Sequence, residues 1–483
     1  MRAFLWYSWK YLRLALKIKV FYDMYEDTKC LNYDLLDDVL NYISECGSVA
    51  TKFIQWITPL LELVAVDESE FFKSDYIERK PRWMRRLEKF YEDCDEHPYE
   101  YTKACYRSEF NEELEDRYDI VSLLGSGSIG QVYLIRNKES EEKSVIKVLH
   151  PSVSEQIDIF EWWYKILCRY PQIQAIIRKI PVNLLDFVKS FRMQSDFISE
   201  ANHILRMREI YRENEYIHIP AVQRVSKSVL QMEYLEGFQV EELKLKETEE
   251  YKRFMIFYLF MRNNIICENY NHGDLHPGNW KLHPEKGITI YDFGFCWSCK
   301  RERRHIVEKT LDLFEGSNYV NKEKTIQGVV DLIYELTIHD TITNKESIKE
   351  DILSYVRVSP YVGGSKGGLI VSPISTIKIL SGFCEDKDIY VDSYLIQFLI
   401  LFVQIQKYCM IYGFAYSERR GIYPDVKVYK ERYSDCLNFC QTYEIFPKYQ
   451  KFIIDKLTDL QITRTSIFDS ITFSDSIRSL AIQ

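Results

Sequence analysis

The chain has 483 residues, a net charge of −9 at pH 7 and a charged fraction of 28%. These values are typical of a globular protein with room for two or three domains, and the acidic balance argues against nucleic acid as a partner. The twelve cysteines are scattered without a disulfide framework. We therefore expect an intracellular, reducing compartment, either cytoplasmic or mitochondrial.

The first twenty-two residues differ from the rest of the chain in charge. They contain five basic residues and no acidic residue, interleaved with tryptophan, leucine and tyrosine. This pattern predicts a basic amphipathic helix, which either makes peripheral membrane contact through residues 1–22, acts as a targeting segment or packs on the main body. No segment predicts a transmembrane span, because the best candidate, Leu395–Ile405, is interrupted by Gln397 and Gln404. We expect a buried helix there.

The N-terminal part of the chain has the periodicity of helices. Residues 1–115 are predicted to form a helical extension, with helices at 33–46, 50–64 and 77–93 and with Pro81 in a first turn.

Short β-branched segments follow, and residues 116–235 are predicted to form a small lobe with inserted helices. The predicted strands are 119–124, 131–136, 144–149, 221–225 and 228–234. Residues 181–214 are predicted to form one long helix between the third and fourth of these strands.

Residues 236–483 are predicted to form a mainly helical large lobe. The exceptions are a loop at 272–279, a strand at 288–291 and a flexible glycine-rich loop at 363–368. A sheet-rich small lobe followed by a helical large lobe predicts an α+β, protein-kinase-like two-lobed fold with a helical N-terminal extension.

A glycine-rich segment lies between the first two predicted strands. It matches the spacing G-x-G-x-x-G-x-V, and its candidate ATP-binding residues are Gly125, Ser126, Gly127, Ser128, Gly130 and Val132. Glycines at this place let backbone N–H groups approach phosphates, because no Cβ intervenes. An ordinary hairpin turn is the other interpretation of the loop taken alone.

Residues further along the chain fit the partners that such a loop needs. Lys147, at the end of Val-Ile-Lys, is predicted to hold the α- and β-phosphates, and Glu200 to orient this lysine. Met232, Glu233 and Leu235 fit a hinge beside the adenine, with Met232 at the back of the pocket and backbone groups of the other two facing the purine.

The segment His-Gly-Asp274-Leu-His-Pro-Gly-Asn279 carries the most specific signal. Asp274 and Asn279 are spaced as in H-R-D-x-x-x-x-N, and the D-F-G motif Asp292-Phe-Gly294 follows. Asp274 can accept the proton of an attacking hydroxyl, whereas Asn279 and Asp292 can bind Mg²⁺. These motifs predict an ATP-dependent phosphotransferase or ATPase with ATP and Mg²⁺ as cofactors.

At these residues the chain resembles the UbiB or aarF-domain family of atypical kinases, which is linked to coenzyme Q biosynthesis. The resemblance extends over residues 45–300 and includes Ser128-Ile-Gly-Gln-Val, Lys147-Val-Leu-His-Pro and the Asp-Phe-x-x-Glu-Ala segment around Glu200. It implies a nucleotide partner, an atypical kinase or ATPase activity, and a substrate from the lipid or quinone pathway.

The family's diagnostic K-x-G-Q motif is only partly present. In the family this motif belongs to an extension that folds over the active site and restrains protein-kinase activity. Here Lys52 and Gln55 would share one helix face, with Ile54 in place of the glycine. The family's E-x-D reads Gln194-Ser-Asp196, so an amide replaces one carboxylate expected to meet the lysine. The resemblance implies regulatory roles for these residues, and the departures shift the expected behaviour toward an ordinary phosphotransferase.

Three functions therefore stay open from the sequence. The first is a UbiB-like atypical kinase or ATPase in quinone or lipid metabolism. The second is a phosphotransferase acting on a small molecule or protein, because aminoglycoside and choline phosphotransferases share the His-Gly-Asp-Leu-His-Pro-Gly-Asn wording. The third is a non-catalytic nucleotide-binding scaffold, which usually lacks the lysine or one of the aspartates that are present here.

Overall fold

The computed structural model describes most of the chain. The described residues are 2–66, 79–91, 94, 96–170, 184–238, 248–314, 322–338, 345–359, 373–387, 390–391, 397–401, 403–404 and 436–462. The predicted loop at 363–368 and both ends of the predicted helix 77–93 lie outside these ranges.

The N-terminal extension is helical. Its elements are α1 (Arg2–Thr28), α2 (Tyr33–Glu45), α3 (Ser48–Ala65), α4 (Arg82–Glu88), α5 (Tyr99–Phe110) and the short α6 (Leu114–Arg117). The Asn32 side chain caps α2 by accepting hydrogen bonds from the backbone N–H groups of Asp34 and Leu35. Pro81 is the residue before α4 rather than part of its first turn, because its ψ of 140° is not helical. The starts of α2 and α4 are therefore explained by the side-chain cap at Asn32 and the backbone conformation of Pro81.

The small lobe is built on an antiparallel sheet in the order β1-β2-β3-β6-β5. Its strands are β1 (Tyr118–Ser126), β2 (Gly130–Asn137), β3 (Lys143–Leu149), β5 (Val222–Val225) and β6 (Val229–Glu233). All five predicted strands are thus present. The outer face of this sheet carries Ile146 and Val148, which belong to one buried cluster with Tyr106 of α5.

Side chains of β3 on the face opposite Ile146 and Val148 contact the inserted helices. Val145 lies in the same buried cluster as Phe197 and Ala201 of α9 (Phe197–Ile210). Because side chains alternate across a strand, Lys147 shares the inner face with Val145. The sheet therefore directs this lysine toward the helix.

The prediction of one helix over 181–214 is wrong. The described residues form two helices, α8 (Leu184–Gln194) and α9, preceded by α7 (Val153–Leu167). The break lies at Asp196, whose side chain accepts a hydrogen bond from the Ile198 N–H and so caps α9. An N-cap in the middle of an apolar pattern ends one helix and begins the next.

The large lobe is mainly helical, with short strands around the predicted loop and strand. Its elements are β4 (Ile217–His218), α10 (Thr248–Asn263), β7 (Asn271–His272), β8 (Trp280–Leu282), β9 (Ile288–Ile290), β10 (Cys296–Trp297), α11 (His305–Phe314), α12 (Lys322–Leu336), β11 (Thr337–Ile338), α13 (Lys345–Val358), α14 (Pro373–Lys387), β12 (Tyr390–Val391) and α15 (Pro447–Ile462). The order β4-β9-β8 forms one small sheet, and β7 pairs with β10. These two pairings hold the segments 272–279 and 292–294 next to each other. The α+β, kinase-like two-lobed architecture is therefore as predicted.

Among the described helices, none combines the length and the apolarity that crossing a bilayer requires.

Candidate active site

The glycine-rich loop connects β1 and β2, and its glycines have different surroundings. A Cβ at Gly130 would lie 2.6 Å from the Val148 carbonyl oxygen, so close packing of β2 on β3 requires glycine there. A Cβ at Gly125 would meet no atom within 4 Å, and one at Gly127 would meet only the Gly130 carbonyl oxygen, at 3.7 Å. The open space at Gly125 and Gly127 leaves room for a phosphate beside the backbone.

Lys147 lies at the centre of a buried ion cluster. Its Nζ is 3.0 and 2.9 Å from the two carboxylate oxygens of Glu200, and 2.9 Å from Oδ1 of Asp292. Glu200 is 0% exposed, so its charge depends on this contact. Burial raises the pKa of Glu200 to about 7, against the opposing effect of Lys147. The structure thus brings together the predicted lysine, helix carboxylate and D-F-G aspartate.

Asp292 has an unusual backbone conformation for a residue with a side chain. Its φ is +48°, in the left-handed region, which aspartate tolerates better than most residues. The Gly294 N–H donates to Oδ1 of Asp292 at 3.2 Å. Burial would raise the pKa of Asp292, but the neighbouring Lys147 ammonium holds it well below its usual range. The carboxylate is therefore ionised and can bind a cation.

Hydrogen bonds between side chains and backbone groups fix the conformation of the predicted catalytic loop. The Asn279 side-chain amide donates from Nδ2 to the Asp274 carbonyl oxygen at 2.8 Å, which makes Oδ1 the atom that a metal would meet. Nδ1 of His272 accepts from the Asp274 N–H, and Nε2 of His272 lies 3.0 Å from the Tyr291 carbonyl oxygen. His272 thus ties the Asp274 segment to the residue that precedes Asp292.

A lysine of the helical extension contacts this loop. Nζ of Lys52, on α3, is 3.2 Å from Oδ2 of Asp274. Burial would raise the pKa of Asp274, but Lys52, together with His276 and His272, outweighs this effect, and the pKa lies below its ordinary value. The proton acceptor predicted from the sequence is therefore paired with a residue from outside the two lobes.

Gln55, one helical turn after Lys52, contacts the opposite side of the site. Its Nε2 donates to the Phe90 carbonyl oxygen at 2.6 Å, and its Oε1 accepts from the Ser128 hydroxyl at 3.0 Å. Lys52 and Gln55 together connect α3 to the catalytic loop and to the glycine-rich loop.

The other two residues with predicted regulatory roles do not meet the lysine. Within the described residues, Lys52 pairs with Asp274 rather than with Gln194 or Asp196. Gln194 donates from Nε2 to the Ser190 hydroxyl, and Asp196 caps α9. The expected contact between the E-x-D segment and Lys52 is thus replaced by a direct pair with Asp274.

The predicted hinge lies beside the site. Met232 is buried in β6 opposite Val145. The Glu233 N–H donates to the Ala221 carbonyl oxygen, and the Leu235 carbonyl oxygen accepts from the Tyr291 hydroxyl at 2.9 Å. The contact with Tyr291 links the hinge directly to the segment that carries Asp292. Val132, the last predicted ATP-binding residue of the glycine-rich segment, lies in β2 and pairs with Lys147 in β3.

Two histidines that the sequence did not single out hold the glycine-rich loop. Nε2 of His150 lies 2.9 Å from the Gly127 carbonyl oxygen, and Nδ1 of His150 lies 2.8 Å from Nδ1 of His97. Because a carbonyl only accepts, His150 donates from Nε2 and accepts at Nδ1, so His97 donates to it. Burial, with a smaller effect of His150, lowers the pKa of His97 to about 4. His150 belongs to the Lys-Val-Leu-His-Pro segment, but nothing local predicts its contact with His97.

A third histidine links α9 to the D-F-G segment. Nδ1 of His203 lies 2.8 Å from the Phe293 carbonyl oxygen, one turn along the helix from Glu200. A pattern search based on kinase motifs does not find it, since its role depends on the packing of α9 on residues 292–294.

The donor set for a metal is small. Among the described residues, no group of three or more His, Cys, Asp or Glu side chains could hold a metal ion. One carboxylate and one amide oxygen, completed by substrate phosphates and water, are the ligand set that Mg²⁺ accepts at phosphoryl-transfer sites. Asp292 and Asn279 fit this set.

A two-lobed fold with these contacts defines a kinase-like protein. Residues 89–323 match the model of the ABC1 atypical kinase-like domain. This stretch of the chain is therefore similar to the ABC1 atypical kinase-like domain.

Curated relatives agree with this assignment at low identity. The "Protein ACTIVITY OF BC1 COMPLEX KINASE 7, chloroplastic" of Arabidopsis thaliana is 26% identical over 43% of this chain and 30% of its own length. The "Probable serine/threonine-protein kinase abkC" of Dictyostelium discoideum is 26% identical over 50% and 34%. The "Probable protein kinase UbiB" of Cronobacter sakazakii is 25% identical over 42% and 39%. The chain thus spans only about a third of the length of the curated relatives it matches.

Proposed function

We propose that the chain binds ATP with Mg²⁺ and acts as a UbiB-like atypical kinase or ATPase. The observation that carries the proposal is the buried cluster of Lys147 with Glu200 and Asp292, next to Asp274 and Asn279. Five residues needed for phosphoryl transfer meet at one place from four separate segments of the chain. The hinge at Met232 to Leu235 supplies a surface for the adenine.

Each residue has a role that follows from its contacts. Lys147, oriented by Glu200, binds the phosphates that enter beneath Gly125 and Gly127. Asp292 and Asn279 would hold Mg²⁺, which when bound neutralises charge on the phosphates. Asp274 accepts the proton of the attacking hydroxyl or water. Its carboxylate is ionised at neutral pH, which this role requires.

The extension has a restraining role in this proposal. Lys52 neutralises Asp274, and Gln55 fixes Ser128 of the glycine-rich loop. A base that is already paired with an ammonium accepts a proton less readily. With Lys52 and Gln55 in these contacts, ATP hydrolysis or transfer to a small acceptor is favoured over transfer to a large protein substrate. A substitution in α3 that removes the contacts would alter this preference.

A turnover assay with ATP and Mg²⁺ tests the catalytic part. We expect Asp292→Asn to abolish turnover, and Asp119→Asn, an exposed substitution in β1 of the same lobe, to leave it unchanged. Equal turnover in the wild type and Asp292→Asn would remove the catalytic proposal and leave a nucleotide-binding scaffold.

The acceptor is proposed to come from quinone or lipid metabolism, which is the setting that the resemblance to the UbiB family implies. Product analysis after incubation with ATP and candidate lipids or proteins identifies it. A phosphorylated protein or small molecule outside this pathway would favour the second hypothesis, an ordinary phosphotransferase.

The first helix supports membrane contact as part of the proposal. None of the residues of α1 is buried, and one face of it presents Leu5, Trp9, Leu12 and Leu16, which are 50–63% exposed. Lys10 and Lys17 bond to Glu45 and Asp38 of α2. The exposed basic residues are Arg2, Arg13 and Lys19, which leave positive charge on the helix surface as in helices that lie on anionic membranes. We expect flotation with anionic liposomes for the full chain and its loss in a chain without residues 1–22. Equal flotation of both would assign the helix to packing alone.

A further inference from the structure

A cavity of about 480 Å³ lies on the far side of α9 from the glycine-rich loop. It is bounded by α3, α8, α9 and the segment that follows the D-F-G motif. Its apolar wall consists of Trp56, Met193, Tyr270, Phe295 and Trp297. Small-molecule sites have volumes of about 300–1,000 Å³ and mainly apolar, aromatic linings. The cavity has the size and the lining of such a site, and the proposed phosphoryl transfer does not use it.

The charged groups around this cavity are mostly cations. Arg206 and Lys300 line it, and in the described part of the chain neither has a carboxylate partner. The Arg206 guanidinium lies over the Tyr270 ring at 4.0 Å, which holds it at the apolar wall. Asp186 also lines the cavity, but it is paired with Lys189 at 3.4 Å. The surplus positive charge is complementary to an anion.

We propose that this cavity binds an amphipathic organic anion, whose apolar body packs on the aromatic wall and whose carboxylate or phosphate group pairs with Arg206, while Lys300 adds positive charge at the same cavity. The ligand class goes beyond phosphoryl transfer and does not depend on it. The apolar wall selects against small inorganic anions, and the cations select against neutral lipids.

The position of the cavity connects it to the catalytic segments. Trp297 pairs in register with Asn271 of β7, and the Gly273 N–H donates to the Phe295 carbonyl oxygen at 2.7 Å. A Cβ at Gly273 would lie 2.4 Å from Phe295, so the aromatic wall packs directly on the residue before Asp274. The cavity wall on α9 includes His203, which contacts the Phe293 carbonyl oxygen. Occupancy would therefore stabilise the arrangement of both catalytic segments.

Titration calorimetry of the full chain, without nucleotide, tests the site with three probes below their micelle concentrations. The probes are decanoate, decyl phosphate and the neutral decanol. We expect saturable binding of at least one anion and affinity at least about tenfold lower for decanol, since one charge-assisted contact contributes that much. The stronger of the two anions shows whether the natural headgroup is a carboxylate or a phosphate.

Two variants locate the binding. Arg206→Gln is expected to weaken anion binding about tenfold, while Arg212→Gln, an exposed matched control beyond the end of α9, changes it less than about twofold. Asn202→Trp, an exposed position of α9 at the cavity, is expected to block binding of all probes. Equal binding of decanol and the anions, no binding of any probe, or equal effects of the two arginine variants would overturn the proposal. Because nucleotide is absent, a chain that fails to turn over ATP can still pass this test.

Discussion

The two aspartates of the site are paired with lysines from different parts of the molecule. Asp292 is paired with Lys147, a residue of the small lobe, and the pair is completed by Glu200 of α9. Asp274 is paired with Lys52, a residue of the N-terminal extension. The first pair belongs to the kinase-like core, whereas the second exists only when the extension is docked. In the proposed mechanism, the residues for metal binding are therefore paired within the kinase-like core, and the proposed proton acceptor is paired with the extension.

Removal of the core lysine is the largest expected effect. Lys147→Met leaves the buried Glu200 without its cation and removes the partner of the half-exposed Asp292. We expect ATP turnover to fall by at least about a hundredfold, with a loss of stability of about 3–5 kcal/mol. Turnover and the denaturant midpoint measure the two effects. Lys143→Met, at the exposed start of the same strand, is the control and should resemble the wild type. A Lys147→Met chain with wild-type turnover would break the distinction between the two pairs.

The glycine-rich loop also depends on the extension, because His97 contacts His150, which holds the loop at Gly127. In the folded state the pKa of His97 is about 4, below the ordinary histidine value of 6.5. The unfolded chain therefore binds more protons than the folded chain between pH 4 and pH 6.5. The stabilisation from this group is therefore complete above pH 6.5 and is lost as pH falls toward 4, by on the order of 2–3 kcal/mol. We expect the free energy of unfolding of His97→Gln to depend less on pH over this interval. An unchanged slope would mean that other groups cause the loss.

Within the same loop, glycines with different surroundings should respond differently. Gly130→Ala places a Cβ against the Val148 carbonyl oxygen and is expected to destabilise the fold by about 1–3 kcal/mol. Gly125→Ala, where the space is open, should leave stability unchanged and affect only nucleotide affinity. Thermal unfolding and ATP titration separate the two effects. Equal destabilisation by both substitutions would contradict the assignment of Gly130 to strand packing.

Release of the extension's cation is the smallest expected effect. Lys52→Ala removes the partner of Asp274, and we expect phosphorylation of an acceptor to rise, or the nucleotide preference to change, by about three- to tenfold, the range of a partly exposed ion pair. Lys89→Ala, elsewhere in the extension, is the control. No difference between the two variants would assign α3 to packing only.

The separation between core and extension also explains what the sequence could predict. Lys147, Asp274, Asn279 and Asp292 stand in short motifs that can each be recognised locally, so their order along the chain is enough to predict a common site. The sequence does not predict the break at Asp196, because the apolar pattern continues through it and only the cap ends the helix. The contacts of His97 with His150, and of Lys52 with Asp274, join residues 53 and 222 positions apart. No local pattern encodes such pairs; only the resemblance to a family indicated the place of Lys52.

Stabilisation of the full chain by ATP, measured as the shift of its thermal midpoint with and without Mg²⁺, tests the central claim most directly. We expect ATP to raise the midpoint of the wild type strongly with Mg²⁺ and only weakly without it, because Asp292 and Asn279 would hold the nucleotide through the metal in the proposed function. Asp292→Asn should lose the Mg²⁺-dependent part. No shift with ATP and Mg²⁺, or a shift in the wild type that is the same without the metal, would contradict the account.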